Sequence, residues 1–176
     1  TNYGTTTTNS GTITILNSGT LINVNSFQNL GNITNNNGGT IINKLGSFLD
    51  NGAGVSGIIN NDGIMINNGT LTLYSGSIIN NTAFITNNFS INSNAGATIT
   101  NNGFITDNDS ISNHGTITNN DVITLNISAI LNNYNILTNT NTITNNFGFL
   151  SNQPGASAII TNSGLITNDG VTTIGV

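Results

Sequence analysis

Residues 77–127 read SIINNT-AFITNNF-SINSNAG-ATITNNG-FITDND-SISNHG-TITNND-VITLNI, and this stretch decides the fold. Each phrase has one central isoleucine with polar neighbours, followed by Asn, Asp or Gly. A helix needs apolar residues three and four positions apart, so this wider interval does not build a helical face. The central isoleucines follow one another at intervals of 6, 8, 6, 6, 6 and 6 residues: Ile85, Ile91, Ile99, Ile105, Ile111, Ile117 and Ile123.

Each phrase alternates in the way that is typical of a β-strand. In Thr116-Ile117-Thr118 the isoleucine faces one side and both threonines face the other. The Asn-Asn, Asn-Gly or Asn-Asp that follows suits a corner, because Asn and Gly tolerate left-handed backbone. Three-residue strands separated by such corners predict an all-β parallel solenoid with three short strands per coil and about 20 residues per coil. At that length the chain would form roughly nine coils.

A second, longer repeat supports the same architecture. The segment FLDNGAGVSGIINNDG (48–63) aligns without gaps to FLSNQPGASAIITNSG (149–164), at an offset of 101 residues. The similarity extends to a repeat of 40–73 with 141–174. An offset of 101 corresponds to five coils of about 20 residues, so both periods describe one object. We therefore interpret residues 1–176 as a single β-solenoid domain.

Stacking of the coils would place Ile over Ile, Thr over Thr and Asn over Asn at the ~4.8 Å spacing of paired strands. Branched apolar side chains would fill a narrow dry core. Asn side chains at the corners would form amide ladders, because each amide both donates and accepts along the axis. Such a rod needs almost no charged residues.

The composition excludes several classes of function. The chain contains 39 Asn, 28 Thr and 27 Ile, but one Lys and no Arg. Lys44 alone cannot neutralise a phosphate backbone, so we expect no nucleic-acid binding. No apolar run approaches the ~18 residues of a membrane span, so we expect no membrane insertion. Disorder is disfavoured because hydrophobic residues reach 35% and are dominated by β-branched Ile.

Several phrases resemble a known class of repeat. GTITNN (115–120), NNGTLTL (67–73) and NAGATITNNGFITDN (94–108) resemble the degenerate β-solenoid repeats of filamentous-haemagglutinin-type and autotransporter-type adhesins, and of related surface fibres. The resemblance covers most of residues 11–174. It implies a right-handed parallel β-helix that is secreted or exposed at the cell surface. The start of the chain, Thr1 to Ser10, is polar and unlike a signal peptide, so a secreted protein would contain this chain as an excised or processed piece.

Few residues are candidates for chemistry. His114 is the only histidine, and the NHG sequence at 113–115 is typical of a corner with no partner base. Asp107 and Asp109 are the one close acidic pair and could face the same side of a strand, as acid and base or as calcium ligands. A second acidic cluster and the Gly-rich calcium repeat are both missing. We therefore predict a non-enzymatic protein with no catalytic residue, metal or cofactor.

The surface offers weaker candidates. Phe84 and Phe104 precede inward isoleucines, so both should face outward one coil apart, where they could stack on a sugar, on a neighbouring fibre or on each other. Flat Thr arrays bind ice in some solenoids. Here the Thr-x-Thr triplets are separated by 58, 28, 18 and 26 residues, so they should not share one face: Thr12–Thr14, Thr70–Thr72, Thr98–Thr100, Thr116–Thr118 and Thr142–Thr144.

Two further features are open to interpretation. Six Asn-x-Ser/Thr triplets occur, and most are expected by chance in so biased a composition: Asn32, Asn68, Asn80, Asn88, Asn108 and Asn126. Segments 44–57 and 147–158 are poorer in Asn and should form wider coils with a protruding loop or a longer corner. They contain Lys44, Leu45, Phe48, Leu49, Phe149, Leu150 and Pro154.

Together these features predict an extracellular structural protein, the shaft or self-assembling subunit of a surface fibre. Its uncapped coil ends would continue the strand ladder into another copy, which makes a homopolymer. The alternative is an adhesin or other binding module, with a carbohydrate, an ice surface or a host cell as its partner.

Overall fold

The computed structural model describes residues 6–153 and 158–174. All regular elements in these ranges are β-strands, and all but the first are four residues long. The strands are β1 (Thr7–Asn9), β2 (Thr12–Ile15), β3 (Thr20–Asn23), β4 (Ser26–Asn29), β5 (Asn32–Asn35), β6 (Thr40–Asn43), β7 (Phe48–Asn51), β8 (Ile58–Asn61), β9 (Ile64–Asn67), β10 (Thr70–Leu73), β11 (Ile78–Asn81), β12 (Phe84–Asn87), β13 (Ser90–Ser93), β14 (Thr98–Asn101), β15 (Phe104–Asp107), β16 (Ser110–Asn113), β17 (Thr116–Asn119), β18 (Val122–Leu125), β19 (Ile130–Asn133), β20 (Ile136–Asn139), β21 (Thr142–Asn145), β22 (Phe149–Asn152), β23 (Ile159–Asn162), β24 (Leu165–Asn168) and β25 (Val171–Ile174).

Every third strand belongs to the same sheet. The first sheet holds β1, β4 and so on to β25; the second runs from β2 to β23, and the third from β3 to β24. Neighbouring strands are parallel, and their partners are 20 residues apart in most coils, as in Ile85 with Ile105. The closest partners are 18 apart, as in Ile99 with Ile117, and the most distant are 26 apart, as in Ile33 with Ile59. The predicted parallel β-solenoid is confirmed, with eight coils and one further strand in the described residues.

The strands are one residue longer than predicted, and the extra residue is inside. Residues one and three of a strand face outward, whereas residues two and four are buried. In β14, Thr98 and Thr100 face outward, while Ile99 and Asn101 face inward. The prediction that Asn occupies the corners is therefore wrong for the first Asn of each pair. Strand alternation places this Asn on the same face as the isoleucine two positions before it.

The second residue of each strand builds the apolar core. In the second sheet Ile59, Ile79, Ile99 and Ile117 stack directly over one another, and each is at most 2% exposed. Full burial of such a side chain contributes ~1.5–3 kcal/mol. The predicted stacking of Ile over Ile is confirmed, and Phe27 and Met65 occupy equivalent core positions in the other two sheets.

The long-range repeat also has a structural counterpart. Strands β7 and β22 lie in the first sheet five coil steps apart, so the offset of 101 residues equals five coils. Leu49 and Leu150 are buried in these strands, whereas Phe48 and Phe149 are exposed. A six-residue corner, 52–57, follows β7, so the structure shows a longer corner here. The equivalent segment after β22 includes Pro154, which lies outside the described residues.

The remaining corners are mainly of two kinds. Short corners have two residues, such as Asn102 and Gly103 between β14 and β15. Long corners have four residues and contain their own turn, such as 94–97, where the N–H of Ala97 donates to the carbonyl of Asn94 at 3.0 Å. Gly96 in this turn has φ of 82°, a left-handed conformation that glycine adopts without steric cost. In the described ranges, the chain forms no helix of the length and apolarity that a membrane crossing requires.

Candidate functional site: the interior amide ladders

The fourth residues of the strands form columns of buried amides through the rod. In the second sheet one column is unbroken over seven coils, and we call it the long ladder. Each side-chain amide donates from Nδ2 to the Oδ1 of the next coil, at 2.7 or 2.8 Å. The long ladder consists of Asn35, Asn61, Asn81, Asn101, Asn119, Asn139 and Asn162.

The direction of these bonds is fixed by the backbone. Nδ2 of Asn101 also donates to the carbonyl of Gly103 at 2.8 Å and to the carbonyl of Val122 at 2.9 Å. Only an NH₂ group can satisfy two carbonyl oxygens, so the amide cannot be turned the other way. Because Val122 belongs to the following coil, every amide of this kind donates toward the C-terminal end of the rod.

The other two columns are interrupted. The first sheet carries Asn9, Asn29 and Asn51, then Leu73 and Ser93, and then a second run of Asn113, Asn133 and Asn152. The third sheet carries what we call the interrupted ladder: Asn23, Asn43, Asn67, Asn87, Asp107, Leu125, Asn145 and Asn168. Where two amides follow one another in these columns, they donate in the same direction as the long ladder, at 2.7 or 2.8 Å.

The breaks occur at one kind of corner. Leu73, Ser93 and Leu125 each precede a four-residue corner that is closed by its own backbone turn. In a two-residue corner such a turn is missing, and the Asn amide closes the corner by donating to the carbonyl two residues later. Asn therefore stands at the fourth position where the corner is short, whereas corners that close themselves accept Leu or Ser there as well as Asn, as Asn35 and Asn43 show.

Asp107 departs from this rule. It precedes the two-residue corner 108–109, so an Asn is expected there. Its Oδ1 accepts from Nδ2 of Asn87 at 2.7 Å and from the N–H of Asp109 at 3.4 Å. Its Oδ2 is buried and has no hydrogen-bond partner, because the next residue in the column is Leu125. An ionised carboxylate thus breaks the ladder, since it accepts from one side and donates nothing to the other.

The pKa of Asp107 is raised to about 6, chiefly by burial and to a small extent by the nearby Asp109 charge, while the two hydrogen bonds to its Oδ1 act in the opposite direction. The protonated acid has an O–H that can donate where the amide NH₂ donates in the equivalent corners. The neutral form is therefore the one that fits this position.

The acidic pair does not form a site. Asp109 lies in the exposed corner while Asp107 faces the interior, so the prediction that they could face the same side of a strand is wrong. His114 is exposed in its corner and stacks on Tyr134, with ring centroids 4.2 Å apart and planes at 5°. Across the described residues no group of three or more His, Cys, Asp or Glu is placed to hold a metal ion.

The outer surface of the third sheet carries an apolar column at the first strand position. Phe84 and Phe104 pair in register and stack, with centroids 5.3 Å apart and an interplanar angle of 11°. The outward stacking of these rings is confirmed, and one face of each ring is covered by the other. Ile64 and Val122 continue the column on either side.

The five Thr-x-Thr triplets do not all share one face, as predicted. Three of them lie in the second sheet, and the triplets at 70–72 and 142–144 lie in the first and third sheets. A different Thr column exists at the third position of the third sheet, and the search for triplets missed it because the first position there is apolar in four of its five strands. Its members are Thr86, Thr106, Thr124, Thr144 and Thr167.

Four of the six Asn-x-Ser/Thr triplets meet at one corner. Asn68, Asn88, Asn108 and Asn126 follow the third sheet in successive coils and are linked by amide bonds of 2.8, 2.6 and 2.6 Å. The amides of Asn88, Asn108 and Asn126 each donate to the preceding coil, opposite to the interior ladders. Sequence reasoning missed this column because it took the triplets one at a time.

No family model, curated protein or solved structure matches the chain. The strand order of the three parallel sheets shows the β-solenoid. The resemblance to adhesin repeats rests on the sequence phrases alone.

Proposed function

We propose that the protein is a non-enzymatic structural protein, the shaft or self-assembling subunit of an extracellular fibre. One observation carries this proposal. The interior hydrogen bonds run along the axis from coil to coil, and the last described coil leaves their donors open. Asn162 and Asn168 are exposed, and each Nδ2 donates only to the carbonyl of its own corner, at 3.0 and 3.1 Å.

The strand edges support continuation into another copy. Among the described residues, strands β23 and β24 each pair with a strand on one side only, and a further parallel strand would extend the ladder there. Proteins usually guard such edges with charged side chains, but only 4% of this chain is charged. A second copy can therefore add strands, apolar core and amide ladder in the same step.

The extracellular location is proposed on the resemblance of the repeats to surface-fibre proteins. A rod whose interior consists of stacked Ile and Asn suits a mechanical role, because backbone and side-chain hydrogen bonds both lie along the direction of load.

Electron microscopy and light scattering of the purified chain test the proposal. We expect filaments of solenoid width whose length increases with protein concentration. A monomer that persists at high concentration in both measurements would contradict the assembly role.

A second candidate is a carbohydrate-binding module, an adhesin, and the apolar column on the third sheet favours it. Ile64, Phe84 and Phe104 are 44–53% exposed along one face. Binding of labelled monomer to a carbohydrate array, compared with a variant that carries Phe84→Ser and Phe104→Ser, tests this candidate. Binding that depends on both rings would favour the module over the shaft.

A further inference from the structure

We infer that a cleft at the corners after the third sheet binds a neutral pyranose sugar, which packs on the ring of Phe147 and bonds to the amides of Asn126 and Asn146. The cleft has a volume of about 530 Å³, which is in the range that holds a small ligand. Its walls are Asn108, Asn126, Ile127, Asn146 and Phe147. The inference depends neither on assembly of the chain nor on the Phe84–Phe104 stack, which does not line this cleft.

The cleft lies where the outer column of amides stops. Nδ2 of Asn126 donates to Oδ1 of Asn108 at 2.6 Å, and no such bond joins Asn146 to Asn126. Within the described residues, the side chain of Asn146 makes no hydrogen bond and Oδ1 of Asn126 accepts none. Both residues are half-buried. The cleft therefore offers one free NH₂ group and two free carbonyl oxygens to a ligand.

The corners that wall the cleft are longer than the two before them. Corners 88–89 and 108–109 have two residues, whereas corner 126–129 has four and corner 146–148 has three. The longer corners carry Ile127 and Phe147, whose side chains are 72% and 65% exposed. Apolar groups thus lie beside the free amides at this place.

Hydrogen bonds hold both walls in place. The N–H of Ala129 donates to the carbonyl of Asn126 at 2.9 Å, and the N–H of Ser128 donates to the carbonyl of Phe147 at 3.2 Å. The N–H of Gly148 donates to the interior Oδ1 of Asn145 at 2.8 Å. A ligand therefore meets a cleft whose backbone is already ordered, which lowers the entropic cost of binding.

Phe147 stands where an equivalent corner has glycine. The N–H of Ser18 donates to the carbonyl of Gly38 at 3.0 Å, and Ser128 contacts Phe147 in the same way one coil apart. Gly38 has φ of 81° and Phe147 has φ of 58°. Glycine adopts this conformation without steric cost, whereas a bulky side chain is strained in it. Retained strain of this kind clusters at binding sites, and here it places an aromatic ring at the cleft.

The chemistry of the walls selects the ligand. None of the five described residues that line the cleft is ionisable, so a charged ligand would find no counter-charge. A purely apolar ligand would cover the Asn146 amide without a partner, which costs free energy. A neutral pyranose fits both requirements, because one face of its ring carries C–H groups and its hydroxyls both donate and accept.

Saturation-transfer difference NMR on the full chain tests the site, and it works on monomers and filaments alike. The probes are the methyl glycosides of glucose, galactose, mannose and N-acetylglucosamine. For the preferred glycoside we expect a Kd on the order of 1 mM, as for a small ligand in an open cleft. The strongest transfer should reach the C–H protons of one sugar face, because these protons lie on Phe147.

The variants separate binding from folding. Phe147→Gly removes the ring and accepts the left-handed backbone, so the chain stays folded while Kd rises by about 10-fold. Phe147→Tyr keeps the ring and should bind like the wild type. Asn146→Ala should raise Kd by about 5-fold through the loss of its hydrogen bonds. The matched control is Phe89→Gly, which removes an exposed ring from a corner outside the cleft and should leave Kd unchanged.

Each outcome bears on the cleft itself. Absence of transfer to all four glycosides overturns the inference, and so does a Phe147→Gly variant that binds like the wild type. An equal loss in Phe89→Gly also overturns it, since exposed rings in general would then be responsible. Stronger transfer to the uncharged peptide Gly-Phe-Gly, with blocked termini, would overturn the assignment to a sugar.

The same measurements distinguish this inference from the proposed functions. Loss of binding in the Phe84→Ser, Phe104→Ser variant, with binding retained in Phe147→Gly, would place the sugar on the stacked rings and overturn the cleft. Filament formation is measured separately by electron microscopy. A wild-type chain that binds a glycoside at Phe147 but stays monomeric would contradict the shaft and support the cleft.

Discussion

The long ladder and the interrupted ladder run side by side through the same rod, yet they differ at one level of the stack. In the second sheet, Asn101 and Asn119 continue the amide column without a gap. In the third sheet, the residues at the neighbouring level are Asp107 and Leu125, and the column stops. The two columns have the same strand geometry, the same spacing and the same isoleucine core beside them.

The difference shows what the amide contributes. Leu125 is tolerated because its four-residue corner closes with a backbone bond from Ala129 to Asn126, at 2.9 Å. Asp107 has a short corner without such a turn, and its Oδ2 is left without a partner because Leu125 follows it in the column. The buried Asn is thus a corner-closing residue that also links the coils, and the ladder follows from stacking many short corners.

Replacing Asn101 by Leu should break the long ladder and produce the largest effect. The change leaves Oδ1 of Asn119 without its donor and Nδ2 of Asn81 without its ladder acceptor, and the carbonyls of Gly103 and Val122 each lose one hydrogen bond. Buried unpaired groups cost ~1–3 kcal/mol each, so we expect a loss of about 4 kcal/mol in the free energy of unfolding. Urea denaturation measures it. The exposed neighbour provides the control: Asn102→Leu should cost less than about 1 kcal/mol, and an equal loss would show that the interior ladder has no special role.

Replacing Asp107 by Asn should make the interrupted ladder resemble the long one at this level. The new NH₂ group would face the carbonyls of Asp109 and Ile130, which correspond to those that Asn87 satisfies in the preceding coil. We expect a gain of ~3 kcal/mol at pH 8 and almost none at pH 3. Urea denaturation at the two pH values tests this. A gain that is independent of pH would contradict the explanation by ionisation.

The free energy of unfolding of the wild-type protein should fall as the pH rises, because of Asp107. The pKa of Asp107 is about 6 in the folded state, against an ordinary 3.8. Below pH 3.8 both states are protonated, and the contribution to stability is fully present. Between the two values the unfolded chain releases the proton first, so stability falls by about 3 kcal/mol and then levels off above pH 6. Stability profiles of the wild type and of Asp107→Asn should converge at low pH, and parallel profiles would exclude Asp107 as the source.

Replacing Phe84 and Phe104 by Ser tests the outer face of the strands that carry Asn87 and Asp107. The stacked pair should be worth about 1–2 kcal/mol of stability, because both rings remain partly exposed. Assembly should be unchanged, since the ladders lie inside. Light scattering of the double variant checks this, and loss of filaments would place the contact between copies on the sheet face instead.

The smallest effect concerns the corner that follows Asn145 in the interrupted ladder. Phe147 has φ of 58° and is 65% exposed, so a bulky side chain occupies a left-handed conformation in solvent. Phe147→Gly should raise the free energy of unfolding by about 0.5 kcal/mol, as the relief of strain slightly exceeds the entropic cost of glycine. Phe89 is also exposed, in the shorter corner 88–89 that leaves the same sheet, and has no positive φ. Phe89→Gly should therefore lower stability, and a gain in both variants would rule out backbone strain.

Sequence alone predicts the solenoid because its signals are periodic. The interval between Ile111 and Ile117 sets the distance from one strand to the next, and the repeat of Phe48 at Phe149 sets the number of coils between them. Both follow from the requirement that equivalent residues stack, which the parallel register shows.

The interior ladder was not predicted, since a polar residue is expected outside and consecutive Asn residues look equivalent. They are not. Counting two positions from Ile99 places Asn101 inside, and Asn102 then begins the corner. The same count from Ile105 would have placed Asp107 inside and separated it from Asp109. The direction of the ladder depends on which carbonyls each amide meets, and no spacing in the sequence contains that information.

The parallel alignment of the interior amides has an electrostatic consequence. Each amide is a small dipole, and those of the long ladder point the same way over seven coils. As in an α-helix, aligned dipoles leave partial charges at the two ends, but here the positive end is the C-terminal one. The exposed amides of Asn88, Asn108 and Asn126 point the other way, in water that screens them. The interior amides thus give the rod a dipole along its axis that comes from neutral residues alone.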